Sequence, residues 1–466
     1  LWDQSALRAN IYTARVETYK AEREEVGAVD ASFTSTVGNE WDINTRLVRS
    51  SQDTFLRRYR FNTETSLKSS ASAERIVSDR YYYIEASDRQ SLTTADKNTN
   101  EPTILPHVFY EKIQKGWRPQ QQFRTEISAL QLDNDQDHDY ARWSSVFEIA
   151  EDMPFTKGIG NYNASLMANY YEIHSQPDTA SSKLGTVAHT NPSVSLGWRM
   201  PVAVSGFGRM AMIEPKAQVT HVSGNDRTDE IPNRDAAEYR IDEANLFLAH
   251  RYQGKDYILP GTRVDAGVGT TANDQYLGNI AAFAGISRRL SGTPSAGLNV
   301  NQDDIYSDYV ASLSMSPAGF IDIRWSGRMA SHDFTVNESK TVAAATFDTG
   351  YLNLTHNQLG QAYFAGGEDD REELSATIGK NFGAGWSLSA SQIWDLSYSK
   401  TVREKTTAAL NWAGGPQDCL TLTLNYEHDP NSDRDIDAVD QVNFVLSLKH
   451  LGALSQDTIA ELVADE

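Results

Sequence analysis

Cysteine is almost absent: Cys419 is the only one in 466 residues, so no disulfide framework can form within the chain. Long apolar runs are missing as well. No stretch of about 18 apolar residues occurs, and mean hydropathy is −0.51, which excludes helical membrane spans. Positive charge is in deficit, with 42 Lys and Arg against 63 Asp and Glu and a net charge of −21. Such a chain has little with which to neutralise phosphates, so no nucleic-acid partner is expected. The ten histidines show no metal-ligand spacing, and no cofactor site is expected. A leader segment is missing too, and the chain starts at Leu1 rather than Met, so a piece of a longer or processed product is expected.

Alternation is what the sequence has in quantity. In residues 29–48, VDASFTSTVGNEWDINTRLV, the residues Val29, Ala31, Phe33 and Val37 alternate with polar neighbours up to a Gly-Asn break. Trp41, Ile43 and Leu47 then alternate with Asp42, Asn44 and Arg46. Pairing Val37 with Trp41 across a three-residue loop, Gly38 to Glu40, keeps every apolar residue on one face. A two-residue loop would put Phe33 and Asp42 on the same side. The pattern recurs at Trp143, Phe147 and Ile149, at Tyr162, Leu166 and Tyr170, at Ile321, Ile323 and Trp325, and at Leu420, Leu422 and Leu424. About 22 such segments can be counted, many near the ten-residue length of membrane strands. Only the last dozen residues have a helical pattern.

Connections between the segments come in two kinds. Gly38–Glu40, SPAG (316–319), DTG (348–350), GAG (383–385) and GGPQD (414–418) are tight. Residues 132–139, 223–260, 288–304, 360–373 and 428–440 are long and charged. The two kinds alternate along the chain with few exceptions. A soluble sandwich or propeller has no reason to sort its turns by length onto two sides. An outer-membrane barrel does, with short periplasmic turns and long outer loops. The wet face carries Asp, Arg, Lys and Asn on successive strands, which a small packed barrel could not bury unpaired. A wide lumen can hold them in water or against a polar plug. The expected fold is therefore all-β, a large antiparallel transmembrane β-barrel in the bacterial outer membrane. It should span residues 1–452, with a short tail of helical pattern at 453–466. A large soluble all-β protein is the alternative.

Motifs that suggest chemistry have plainer readings. GVGTTA (267–272) imitates a dinucleotide fingerprint, but no helix follows, and Gly267 and Gly269 read as small residues on a strand. Ser295 in GTPSAG lacks the spacing of a nucleophile elbow. Asp369 and Asp370 read as a solvated charge run. No catalytic constellation emerges, so no enzyme activity is expected. The loop from Val222 to Pro260 differs from a solvated loop. It carries Tyr239, Ile241, Leu246, Phe247, Leu248, Tyr252 and Tyr257 among its charges, so it is expected to fold over or into the barrel mouth and close the lumen.

Four stretches, in order and spacing, resemble one family, the lipopolysaccharide-assembly outer-membrane protein LptD, of alphaproteobacterial type. They are WDINTRLVRSSQDTFLRRY (41–59), IEPKAQ (213–218), IPNRDAAEYRIDEANLFLAHRYQGKDYILPGTRVDAGV (231–268), and DCLTLTLNYEHD followed by VNFVLSLKHLG near the end. The third is the most specific, with Ile-Pro-Asn, Asn-Leu-Phe and Thr-Arg elements in family order. The resemblance covers about residues 5 to 452. It implies a barrel of about 26 strands behind a periplasmic jellyroll, so that the jellyroll and the first strands would lie outside this chain. Two departures stand out: the final strand lacks a terminal aromatic, and only one cysteine is present.

The resemblance further implies a function. Such a protein takes lipopolysaccharide from a periplasmic bridge protein and inserts it into the outer leaflet, through a polar lumen and a lateral seam. The seam strand would be Val442 to Leu451, with Asn443, Ser447 and Lys449 inward. An LptE-like lipoprotein plug would occupy the lumen against Asp42, Asn44, Arg46, Asp322, Arg324 and Arg328. Alternation puts Cys419 at the periplasmic rim, pointing inward; the resemblance suggests that it bridges to a cysteine in the N-terminal region. A large porin or solute transporter, and less so an outer-membrane hydrolase, are the alternative functions.

Overall fold

A computed structural model gives the architecture. It describes residues 2–17, 23–38, 40–58, 61–62, 64–92, 102–134, 138–175, 184–206, 209–224, 227, 230–235, 241–252, 254–258, 260–274, 276–292, 305–317, 319–360, 370–397, 405–415, 419–430, 439–448 and 452–455. The first strands are β1 (Trp2–Glu17), β2 (Arg23–Val37), β3 (Trp41–Ser50), β4 (Ser66–Val77), β5 (Arg80–Ser91) and β6 (Thr103–Lys115). A four-residue helix, α1 (Phe55–Arg58), lies between β3 and β4. Next come β7 (Gln121–Asp133), β8 (Asp139–Phe155), β9 (Gly158–Ser175), β10 (Gly185–Arg199), β11 (Val202–Gly206) and β12 (Arg209–Val222). After the loop 223–260 follow β13 (Gly261–Asp274), β14 (Gly278–Ser291), β15 (Tyr309–Met315), β16 (Ile321–Met329), β17 (Val336–Phe347) and β18 (Gly350–Leu359). The chain closes with β19 (Arg371–Gly383), β20 (Trp386–Asp395), β21 (Lys405–Gly414), β22 (Leu420–Asp429), β23 (Val439–Leu448) and β24 (Gly452–Ser455).

All 24 strands join one sheet, and each ladder between them is antiparallel. β10 and β11 act as one strand along β12, interrupted where Pro201 cannot donate to the ladder and Met200 N–H donates instead to Pro215 C=O at 3.1 Å. Counting that pair once and setting aside the four-residue β24 leaves about the 22 strands read from the sequence. The hairpin of residues 29–48 has the three-residue loop: Val37 lies opposite Trp41, and Gly38 takes the positive φ of 63° that the turn requires. Tight turns such as 78–79, 156–157, 348–349 and 384–385 lie at one rim, and 51–65, 223–260 and 292–308 at the other. The alternation holds along the whole sheet.

Burial is the reverse of a soluble protein's. On β7, Ile127 is exposed while Glu126 and Ser128 are buried; on β8, Trp143 and Phe147 are exposed and Arg142 and Ser144 buried. β10 repeats this with Val194 and Leu196 against Ser193 and Ser195, and β12 with Val219 against Gln218 and Thr220. A water-soluble fold would lose the hydrophobic driving force by this arrangement; a barrel in lipid needs it. Outward aromatic pairs cluster at the tight-turn rim, with ring centroids 6.3 Å apart for Trp41–Tyr82, 5.7 Å for Phe320–Phe347 and 6.3 Å for Trp386–Trp412. This is the girdle expected where hydrocarbon meets headgroups.

Two sequence expectations change. The strand expected to end the chain at Val442–Leu451 stops at Leu448, and Gly452–Ser455 of β24 pairs antiparallel with Val445–Leu448. The helical pattern expected for 453–466 thus falls partly on β24 and otherwise outside the described residues. α1 itself was not expected. It tucks Phe55 and Leu56 into an inner cluster with Val26, Val48, Leu67 and Leu92. Among the described residues β1 pairs with β2 alone, so β1 is one edge of the sheet and β23 with β24 the other.

Candidate functional site

The lumen is the candidate site, and the described residues of the loop 223–260 pack against its inner face. One end of the loop is anchored on β7–β9. Arg142 of β8 pairs with both Asp235 and Asp256 of the loop. Tyr171 Oη of β9 donates to Asp256 Oδ1 at 2.9 Å, and the N–H groups of Arg234 and Asp235 donate to its other oxygen at 2.9 and 3.2 Å. Lys255 reaches Glu126 and Ser128 of β7. Apolar contacts complete this end: Ile231 packs with Leu132, Tyr140 and Val187, and Ile258 with Val146 and Met167.

The other end is anchored on β12–β15. Arg251 Nη2 pairs with Asp265 of β13 and donates to Ser287 Oγ of β14 at 3.0 Å and to Leu246 C=O at 2.7 Å. Gln218 of β12 donates to Phe247 C=O at 2.5 Å, and Ser312 of β15 bonds Glu243. Leu246 is fully buried against Phe283 and Val310. It sits over Gly285, where an added Cβ would lie 2.5 Å from Leu246 Cδ2, so glycine is what admits the loop. Gly267 likewise admits the Phe283 ring, which is the strand role read for GVGTTA.

Burying these charges would be costly unpaired, and each of the central ones is paired. In the loop, burial and then the neighbouring Asp256 carboxylate push Asp235 up to about 6. Burial, helped by the Arg263 guanidinium, pushes His250 down to about 4. Below the loop is a cavity of about 650 Å³, lined in part by Met212, Lys216, Glu243, Phe283 and Lys340.

The residues singled out in the sequence are distributed as follows. Asp42, Asn44 and Arg46 share one face of β3, and Arg46 pairs with Asp30 at 3.2 Å and Glu64 at 3.5 Å. Thr36 Oγ1 donates to Asp42 at 2.8 Å. On β16, Arg324 pairs with Asp322 at 2.8 Å, and the buried Arg328 with Glu338 at 3.4 Å. These two groups lie far apart in strand order and are not brought together. Asn443 lies opposite Asn425 and Ser447 opposite Thr421, on the face of β22 that Thr423 shares; Lys449 is outside the described residues. Cys419 is a half-buried free thiol at the tight-turn rim before β22. Leu246, Phe247 and Tyr252 lie in the inner loop, Tyr252 against Tyr257 with centroids 4.3 Å apart; Tyr239 is outside the described residues.

Sequence reasoning missed the anchors Arg142, Asp235, Asp256, Arg251 and Asp265. Alternation marks Arg142 and Asp265 only as inward; their partners stand up to 114 residues away in the chain.

Residues 24–365 match the family model of LptD, described as LPS transport system D. The chain belongs to the LptD family. Its function is thus lipopolysaccharide transport, its place the outer membrane, and its family one of transport proteins rather than enzymes. No curated protein matches the chain. Among solved structures it is similar to the siderophore receptor PirA from Acinetobacter baumannii, at 6% identity and a TM-score of 0.40, covering 96% of this chain and 74% of that one. It is similar also to the FrpB iron transporter from Neisseria meningitidis, at 9% identity and a TM-score of 0.37, covering 97% and 74%.

Proposed function

We propose that this LptD-family chain inserts lipopolysaccharide into the outer leaflet, passing the sugar part through the polar lumen and releasing the lipid part sideways at a lateral seam. The physical problem is an amphiphile whose acyl chains avoid water and whose phosphorylated head cannot cross hydrocarbon. The observation that carries the reading is a polar inner face within an apolar outer wall. Asn443 and Ser447 then line one side of the seam. An LptE-like lipoprotein entering from the periplasm meets the charged faces of β3 and β16, at Asp42, Asn44, Arg46, Asp322, Arg324 and Arg328. A jellyroll ahead of the barrel receives cargo from the periplasmic bridge protein. The inner loop closes the top of the lumen, at Leu246, Phe247 and Tyr252, which disfavours an open solute channel.

Depletion of the full-length protein in its host tests the proposal. Newly made lipopolysaccharide should stop reaching the cell surface and resume when the protein is restored. Normal surface arrival during depletion, with altered solute uptake instead, would return the reading to a solute transporter.

A further inference from the structure

The inner face of the sheet is chemically divided. On β3 to β8, β12, β13, β16 and β17 it carries charge, as in the groups around Arg46, Arg124, Arg142, Asp265 and Arg328, while the neutral inner faces of β9, β10, β14 and β15 are taken up by contacts with the loop 223–260. From β18 to β22 it changes. The pairings Asn353↔Thr377, Thr377↔Ser391, Ser389↔Ala409, Asn411↔Thr423 and Asn425↔Asn443 put hydroxyls and amides on that face. Their outward neighbours are apolar: Leu354, Ile378, Leu388, Leu422 and Leu424 are exposed. Among the described residues, the inner face of β18–β22 carries no charge between the tight turns and the outer-rim residues Glu373, Asp395, Lys405 and Glu427. The strip continues onto β23 at Asn443, opposite Asn425. The inner loop is anchored on β7–β9 and β12–β15, on the opposite wall.

We infer that the inner face of β18–β22 is the track along which the saccharide part of the cargo moves, and that the loop 223–260 is a standing wall that keeps the cargo to that side. This deepens the transport reading and rests on it. A sugar chain offers many hydroxyls, and Ser, Thr and Asn can both donate to and accept from them. Each such bond replaces a comparable one to water, so the chain can exchange partners without being held. Guanidinium groups would hold the phosphates instead, through strong charge-assisted bonds. A conducting path needs contacts weak enough to leave, and a neutral strip supplies them.

The test uses the full-length protein in cells, with a photo-crosslinking benzoylphenylalanine at Ser389 or Thr423 on the strip, or at Thr271 on the opposite wall. Lipopolysaccharide adducts are expected at the first two positions and at least tenfold fewer at the third. Equal or greater yield at Thr271 overturns the track. A second measurement replaces the same residues by charge. Thr423→Arg and Ser389→Arg should slow arrival of lipopolysaccharide at the surface severalfold, while Thr423→Asn and Thr271→Arg leave it near wild type. An equal effect of Arg at all three sites, with equal barrel levels in the membrane, also overturns the track. If the unsubstituted protein delivers no lipopolysaccharide, it is the transport reading that fails.

Discussion

Leu166 sits at the middle of β9, exposed on the outer face, with the inward residues Ser165 and Met167 on either side. Arginine there would face hydrocarbon at its deepest. Leu166→Arg should cost about 2–4 kcal/mol, against roughly 0–1 kcal/mol for Trp386→Arg near the tight-turn rim. Ser389→Arg, which points into the lumen, should be milder than Leu166→Arg. Reversible unfolding in lipid vesicles measures all three, and equal losses on both faces would reject the assignment of sides. Charged residues in the loop give a second test at this scale. Asp235 sits above the ordinary carboxylate range when the loop is docked, so the docked state holds its proton and docking gains as pH falls toward and below about 6. His250 sits below the ordinary imidazole range, so the docked state sheds its proton and docking weakens as pH falls below about 6.5. The groups that face them are Arg142 and Asp256 for Asp235, and Ser165, Arg263 and Glu148 for His250. The two effects oppose each other, and wild-type docking should change little between pH 7 and 5. In Asp235→Asn the His250 effect stands alone, and acidification should weaken docking by about 2 kcal/mol. In His250→Gln the slope should reverse. Hydrogen exchange of the amides in 241–252 reads both, and a steep wild-type pH dependence would count against the pairing of effects.

At the scale of elements, strands were legible and anchors were not. Period-two alternation is local, so the faces of residues 29–48 and the three-residue loop at Gly38 follow from sequence. The aromatic and aliphatic residues of 223–260 also announce that the loop is packed, because a solvated loop has no use for them. Which strands receive it depends on contacts such as Arg142–Asp256, and no local pattern carries those. α1 escaped notice because four residues give no helical period to read. β24 escaped because its alternation is only four residues long. The loop's closing role is testable as a unit. Deleting residues 236–252 removes Leu246, Phe247 and the Arg251 anchor, and should increase entry of large antibiotics. Unchanged antibiotic sensitivity and unchanged surface lipopolysaccharide would make the loop irrelevant to closure.

At the scale of the whole molecule, the thiol at the start of β22 points beyond the sheet. Cys419 stands just before β22, and we propose that this rim faces the periplasm, a compartment that oxidises accessible thiols. A bridge from Cys419 to the region ahead of the barrel would fix the jellyroll beneath it. On non-reducing gels the full-length protein should migrate differently from Cys419→Ser, and reductant should erase the difference. Stoichiometric maleimide labelling of the unreduced protein would mean that no bridge exists. The claim on which everything else depends is that this sheet turns its apolar face to lipid and its polar face to a lumen. The most direct measurement is a scan along β9 with single fluorescent labels from Tyr162 to Tyr171, in vesicles containing brominated lipids. Labels at Tyr162, Ala164, Leu166, Ala168 and Tyr170 should be quenched, and those at Asn163, Ser165, Met167, Asn169 and Tyr171 should not. A flat profile, or one of the opposite phase, would contradict the account.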